Sequence, residues 1–354
     1  MPAIRHVAGV CDDGRIRLIE QPIPELRAGT VLVEVHASLV SPGTELGGWR
    51  RLAERRNASA TPGSPRPFGY SNAGVVQAVG EGVAEFNVGD RVACIGNGYA
   101  QHTDWAVMPH HLCVSLPEAV TFAQGSYAML AATAMHALRR GQPEFGETVA
   151  VAGLGVLGQL TAMLYQLAGN YAVGWDVVDR RIEIARQWGI DLAVRVGEGY
   201  EVERTRSFTN EYGLDAAVLA LGGDASDLLQ SIGRCMKKSP DGHPMGRIIV
   251  VGNPTFTYRD HESAGMTNID IRRASRTGPG YHDAAWESGA AYPPVFMRWT
   301  TQTNLALCMR LIAEGKLDVN VLTTHRIPLE NVEAGVDSIL DRPDELLGVV
   351  FEKG

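Results

Sequence analysis

Apolar and polar positions alternate in short runs through the first third of the chain. Val31-Leu-Val-Glu-Val-His36, Gly74-Val-Val-Gln-Ala-Val79 and Asp90-Arg-Val-Ala-Cys94 carry the period of two expected of strands with one buried face. Gly80-Glu-Gly82 and Asn87-Val-Gly-Asp90 lie between them as turns. Short strands at this spacing predict a small sandwich or barrel. Residues 50–67 break the rhythm with Arg50, Arg51, Arg55 and Arg56, followed by Pro, Gly and Ser. They predict a basic helical turn and then a loop, either a solvated excursion or one that closes over an anionic or polyhydroxylated substrate.

The texture changes near residue 124. Tyr127 to Leu138 is apolar and Ala-rich, long enough for a buried helix. Apolar strand-like runs then alternate with helical ones. Strands are predicted at 148–152, 172–175, 216–221 and 247–251, and helices at 159–168, 181–189, 304–315 and 330–340. Strands that are apolar on both faces and alternate with helices predict a parallel sheet covered on each side.

Composition narrows the class. The 354 residues suggest two domains, and 45% hydrophobic with 20% charged residues is ordinary for a globular protein. A formal net charge of -8 argues against the clustered basic footprint of a nucleic-acid binder. Cys11, Cys94, Cys113, Cys235 and Cys308 are scattered, with no Cys-x-x-Cys pair, which predicts buried thiols in a reducing compartment. The first residues lack an apolar leader segment, and no run of about 18 apolar residues predicts a membrane span. A cytoplasmic location is expected, with no membrane or nucleic-acid partner.

Gly153-Leu154-Gly155-Val156-Leu157-Gly158 directly follows the strand at 148–152 and opens a helix. In that context the spacing is a dinucleotide-binding fingerprint. The first glycine permits the tight turn, the second lets backbone approach a pyrophosphate, and the third lets helix and strand pack closely. The helix N-terminus offers N–H groups to phosphate. Asp176 ends the next strand, roughly twenty residues on, where a carboxylate accepts the adenosine ribose hydroxyls and repels a 2′-phosphate. NAD is therefore favoured over NADP. Arg180 and Arg181 pull the other way, since arginine can receive a 2′-phosphate; their alternative is the solvated first turn of a helix.

Five segments in order, Val40-Ser-Pro-Gly-Thr-Glu45, Gly69-Tyr-Ser-Asn-Ala-Gly-Val-Val76, Val88-Gly-Asp-Arg-Val92, the glycine motif and Val321-Leu-Thr-Thr-His-Arg-Ile-Pro328, resemble the medium-chain dehydrogenase/reductase superfamily. The resemblance implies an α/β chain: a GroES-like β-rich catalytic domain (1–123, returning at 277–354) split by a doubly wound Rossmann domain (124–276), with the active site in the cleft between them. It also implies a homodimer or homotetramer with paired Rossmann sheet edges. Zinc members carry Cys-Gly-Thr/Ser-Asp and Gly-His-Glu where this chain has Pro42-Gly43-Thr44-Glu45 and Gly69-Tyr70-Ser71. Their third ligand falls near Met129, and the four-cysteine structural lobe is missing. The pattern is similar to a zinc-lacking branch, as is Gly278-Pro-Gly-Tyr-His-Asp283 with Tyr292-Pro-Pro, Arg298-Trp-Thr300 and Asn304. That branch includes oxidoreductases associated with sugars and cyclitols, and more distantly a bacteriochlorophyllide dehydrogenase.

By mapped position, the resemblance implies four catalytic candidates. Thr44 matches the family's proton-relaying hydroxyl, and Glu45 a family acid. Tyr70 stands where a histidine ligand is lost, and His282 lies in the glycine-rich return. Each has a structural alternative: a turn bond for Thr44, an ion pair holding the loop for Glu45, and filling of the zinc void for Tyr70. Tyr281, Arg298 and Trp299 are candidates to shape a sugar pocket. His110 and His111, read as extended, would point to opposite faces. His36 and His102 fall in strand-like segments with no partner visible. The expected activity is zinc-free, NAD-dependent oxidation of a secondary alcohol on a small sugar, polyol or cyclitol. A zinc-free enone or quinone reductase using NAD(P)H, and a non-catalytic nucleotide-binding redox sensor, are the alternatives.

Overall fold

The computed structural model describes residues 2–57, 63–257 and 268–354. The later part of the 50–67 loop thus lies partly outside the described residues. The earlier part is a helix, Trp49–Asn57. The chain divides into two compact units, Met1–Ala132 with Thr277–Gly354, and Thr133–Arg276. The first division falls within the helix Ala128–Gly141, past the change of texture at residue 124.

The first unit is built on Thr30–Val40, an eleven-residue strand in the middle of a seven-stranded sheet. It pairs with Ser71–Val79, with Trp105–Pro109 and with Gly348–Glu352. With neighbours on every side its buried positions run almost continuously instead of alternating. The last strand of the chain therefore completes the sheet begun by the first third: Val349 lies opposite Val40, and Glu352 opposite Ala37. One core gathers Val40, Leu46, Trp49, Phe68, Ile327 and Phe351 from both halves of this unit. Burying each such side chain is worth about 1.5–3 kcal/mol relative to exposure, so the C-terminal return is held by packing as well as by strand pairing.

The second unit is a six-stranded, all-parallel sheet. Taken in chain order its strands are Thr148–Ala152, Tyr171–Asp176, Leu192–Arg195, Ala216–Leu219, Met245–Val250 and Asn268–Arg273. Across the sheet they stand 3-2-1-4-5-6, the doubly wound dinucleotide-binding order. Successive residues of one strand serve opposite cores. Val149 and Val151 pack with Ala162, Tyr165 and Ile182, while Ala150 and Ala152 pack with Leu229 and Ile232. Both faces are covered, and this is why the strand sequences carry no alternation. Among the described residues no helix is long and apolar enough to cross a membrane.

Candidate active site and cofactor loop

In the first unit, Thr30–Val40 runs into Ser41, and Pro42 opens a one-turn helix, Pro42–Glu45. Proline suits this first position because its missing N–H has no helical partner there. Glu45 turns back and its Oε2 accepts the Ser41 N–H at 2.6 Å, which ties the helix to the residue before it, while the Ser41 side chain makes no capping bond. Its carboxylate is buried, with Oε2 3.4 Å from His102 Nε2. His102 Nδ1 meets Ser38 Oγ at 2.8 Å, and the ring lies between Phe68 and Phe351. A fully buried Ser38–His102–Glu45 line thus backs the turn.

This corrects the reading of His102 as partnerless. Its partners are 57 and 64 residues away in sequence, and only strand pairing brings them together. His36 also finds a partner, stacking on Phe122 with centroids 4.4 Å apart. Glu45 anchors the turn, and its Oε1 is buried with no hydrogen-bond partner among the described residues.

Tyr70 enters from the next segment. Gly69 has φ of +115°, and a Cβ there would stand 2.4 Å from the His102 backbone nitrogen, so only glycine lets Phe68 accept from His102 N–H and still turn into Tyr70. The Tyr70 hydroxyl reaches the side chains of Ser41 and Thr44. Burial, and then the Glu45 carboxylate, push its pKa well above the ordinary tyrosine range. Tyr70 is therefore a neutral O–H donor near pH 7, not a phenolate. Thr44 is exposed beside it and Ser41 is buried. The structure brings Thr44, Glu45 and Tyr70 together, and adds Ser41 from the same segment as Thr44, with Ser38 and His102, which carried no recognisable spacing.

His282 is not part of this group. It is exposed at φ of +68°, its N–H donates to Glu287 Oε1 at 2.7 Å, and its ring lies on Tyr281 at 4.0 Å. Tyr281 is buried, its hydroxyl accepting Asn97 N–H at 2.9 Å. The Arg298 guanidinium lies over the Trp299 ring at 4.5 Å on an exposed stretch. His110 and His111 are not extended: they open a 3-10 turn, His110–Leu112, with rings side by side at 4.3 Å. At the mapped third zinc position, Met129 donates its backbone N–H to Ser71 Oγ at 3.2 Å.

The glycine motif lies in the second unit, at the carboxyl end of Thr148–Ala152, where the strand order reverses. Gly153 has φ of +92°. A Cβ on Gly158 would fall 1.7 Å from the Gly153 carbonyl oxygen, whereas one on Gly155 would meet nothing within 4 Å. Gly153 and Gly158 are thus needed by the fold, and Gly155 leaves open space before the helix Val156–Leu167. Leu154 N–H donates to Asp176 Oδ2 at 2.7 Å and Val178 N–H to Oδ1 at 2.8 Å. Arg181 Nη1 lies 3.5 Å from the same carboxylate, and Arg180 pairs with Glu183. Gln159, buried beneath, donates to the Leu154 and Arg181 carbonyls and accepts from Trp188 Nε1.

Residues 27–140 match the alcohol dehydrogenase GroES-like domain. The chain has the medium-chain dehydrogenase/reductase fold. An Escherichia coli oxidoreductase/dehydrogenase of unknown specificity superposes with a TM-score of 0.76 at 17% identity, covering 99% of each chain. Mouse (Mus musculus) sorbitol dehydrogenase is 28% identical over 352 residues, covering 91% of this chain and 89% of its own. An uncharacterized zinc-type alcohol dehydrogenase-like protein of Haemophilus influenzae is 24% identical over 358 residues, covering 93% of both.

Proposed function

We propose that this chain is a zinc-independent, NAD-dependent dehydrogenase that reversibly oxidises a secondary alcohol of a sugar, polyol or cyclitol to the ketone. The medium-chain alcohol dehydrogenase class is supported by the similarity to sorbitol dehydrogenase and to a zinc-type alcohol dehydrogenase-like protein, and the polyol class by the similarity to sorbitol dehydrogenase. The observation that carries the zinc-free reading is the hydroxyl set of Ser41, Thr44 and Tyr70 around the turn where zinc members hold their metal. Zinc does not fit these positions. Pro42 has no donor, Tyr70 is a buried neutral phenol, and Met129 offers only a thioether, whereas zinc takes thiolate, imidazole or carboxylate. The similarity to a zinc-type relative supports the fold without supplying those ligands.

A bound nicotinamide supplies the site that accepts or gives hydride. The residues handle the proton and the oxygen. In reduction, the Tyr70 O–H donates to the carbonyl oxygen as hydride reaches the carbon, with Thr44 and Ser41 keeping the phenol oriented. In oxidation, the Tyr70 oxygen takes the hydroxyl proton as Tyr70 passes its own through the exposed Thr44 hydroxyl to water, and in reduction water resupplies it by the same route. Glu45, held by Ser41 N–H and His102, keeps negative charge behind Tyr70 and so keeps it protonated. In the cofactor loop, Asp176 is the ribose acceptor. With Arg181 turned onto Asp176 and Arg180 onto Glu183, neither guanidinium is left to a 2′-phosphate alone, which supports NAD. The exposed edge strand Asn268–Arg273, paired on one side only among the described residues, supports assembly through this edge into a homodimer or homotetramer.

The test is nicotinamide absorbance on mixing metal-stripped protein with NAD or NADP and a panel of polyols, cyclitols, sugars and enones. NADH formed after chelation, faster with NAD than with NADP, is expected. Activity that returns only with zinc, in a chain that circular dichroism shows folded without it, would overturn the zinc-free reading. Turnover of enones alone would move the protein to the reductase class, and cofactor binding without any turnover to the sensor class.

A further inference from the structure

We propose that Glu85, His110 and His111 form a binding site for a divalent transition-metal cation of the zinc type, separate from the Ser41–Thr44–Tyr70 cluster and with a structural role. Each of the three offers one ligand atom, and these atoms lie within 4.8 Å of one another. Local geometry explains how adjacent histidines converge. Pro109 ends the strand Trp105–Pro109, and the following 3-10 turn sets both imidazoles side by side, centroids 4.3 Å apart and planes inclined by 44°. Glu85 Oε2 stands 3.0 Å from His110 Nδ1. Two donors bound to tetrahedral zinc at about 2.0–2.1 Å stand roughly 3.3 Å apart, so this pair is already close to ligand spacing. A cation would replace the proton they share.

The third ligand is oriented from behind. His111 Nδ1 lies 2.6 Å from the Trp286 carbonyl oxygen. A carbonyl can only accept, so Nδ1 carries the proton and the lone pair is on Nε2. A backbone carbonyl on the far nitrogen is the usual outer support of a metal-binding histidine, fixing both tautomer and ring orientation. His110 is buried while Glu85 is exposed, which leaves an entry path on the carboxylate side. Two imidazoles and one carboxylate favour zinc, cobalt or nickel over calcium or magnesium, which prefer all-oxygen shells. Water would complete a tetrahedron.

The site would tie three stretches of the first unit. Glu85 lies just before the Asn87–Asp90 turn, the two histidines follow Trp105–Pro109, and Trp286 belongs to the return helix Ala284–Glu287. That return also carries Tyr281, whose hydroxyl accepts from Asn97. A cation at the histidines would hold this segment in place without taking part in proton transfer.

The experiment is zinc and cobalt(II) titration of the metal-stripped full chain, beside Glu85→Gln and His111→Gln. Equilibrium dialysis and the visible cobalt spectrum report binding, and circular dichroism reports folding. The wild-type chain is expected to bind a single equivalent with a tetrahedral cobalt spectrum and a raised thermal midpoint. Each variant, still folded, should lose affinity by more than the about tenfold that loss of an outer partner costs. A zinc equivalent that survives both substitutions, or the absence of saturable binding to the wild-type chain, would overturn the site. Dehydrogenase rates on the same samples keep this result apart from the catalytic reading, because the site can fail while activity persists without metal.

Discussion

The Tyr70 hydroxyl lies beside those of Ser41 and Thr44 and near the Glu45 carboxylate, so removing its oxygen tests the catalytic reading directly. Tyr70→Phe keeps the ring that fills the core. It is expected to lower kcat/KM by about 10²-fold or more, in the range of lost general acid catalysis, with the thermal midpoint nearly unchanged. Because burial and Glu45 raise its pKa, Tyr70 stays protonated across roughly pH 6–9. The substitution should therefore lower the pH–rate profile there without reshaping it; a shifted alkaline limb would mean that Tyr70 ionises in turnover. Behind it, His102→Ala strips Glu45 of a partner inside the core and opens a cavity. A loss of about 3–5 kcal/mol in denaturant unfolding is expected. Glu45→Gln, which can still accept from Ser41 N–H, should cost about 1–2 kcal/mol. Thr44, Glu45 and Tyr70 were legible as mapped positions. His102 and Ser38 were not, because a buried histidine in a strand looks the same in sequence whether or not a carboxylate arrives from elsewhere in the chain.

At the scale of elements, the glycine motif separates Gly153 and Gly158, which the fold needs, from Gly155, which it does not. Gly158→Ala drives a Cβ into the Gly153 carbonyl and should destabilise the chain by about 3 kcal/mol, as overpacking against backbone does. Gly155 has an ordinary φ of -64° and open space before it, so Gly155→Ala should leave the melting curve unchanged. Its methyl would occupy the proposed path of the pyrophosphate and raise the KM for NAD by about tenfold, equivalent to about 1.4 kcal/mol. Equal cofactor kinetics in wild type and Gly155→Ala would argue against that path. The central strands Thr148–Ala152 and Ala216–Leu219 announce themselves because both faces are buried and every residue is apolar or nearly so. Leu192–Arg195 and Asn268–Arg273 do not. They are the two sheet edges, and Asn-Ile-Asp-Ile-Arg-Arg is half charged because much of it meets solvent. The helices Tyr200–Phe208 and Ser226–Cys235 were equally silent, since neither has a side-chain cap to mark its start. The adjacent histidines failed for a related reason: a three-residue 3-10 turn after a proline is too short to impose a period, yet it decides which way both rings face.

For the whole molecule, the same burial that tunes Tyr70 sets a limit on alkaline stability. Tyr70, Tyr127 and Tyr165 are distributed over both units, and all three are pushed well above the ordinary tyrosine range, chiefly by burial. Cys113 is raised too, and Cys235 is pushed up to about 12, again with burial as the main cause. In the unfolded chain the thiols ionise near about pH 8.5 and the tyrosines near about pH 10. Between those values and the raised folded ones the native state binds more protons than the unfolded state, so stability falls as pH rises. Their contribution is complete below about pH 8.5. It should begin to fade as the thiols titrate in the unfolded chain, and fade faster above about pH 10, each fully engaged group adding a slope of about 1.4 kcal/mol per pH unit. Urea unfolding from about pH 8 to 11 would measure this slope. Tyr165→Phe is the informative variant, because its buried hydroxyl has no hydrogen-bond partner among the described residues, so its loss removes a titrating group without breaking a hydrogen bond there. The variant should be at least as stable as the parent at neutral pH and decline less steeply above about pH 10. An unchanged slope would mean that the second unit opens locally and lets Tyr165 ionise before the sheet unfolds.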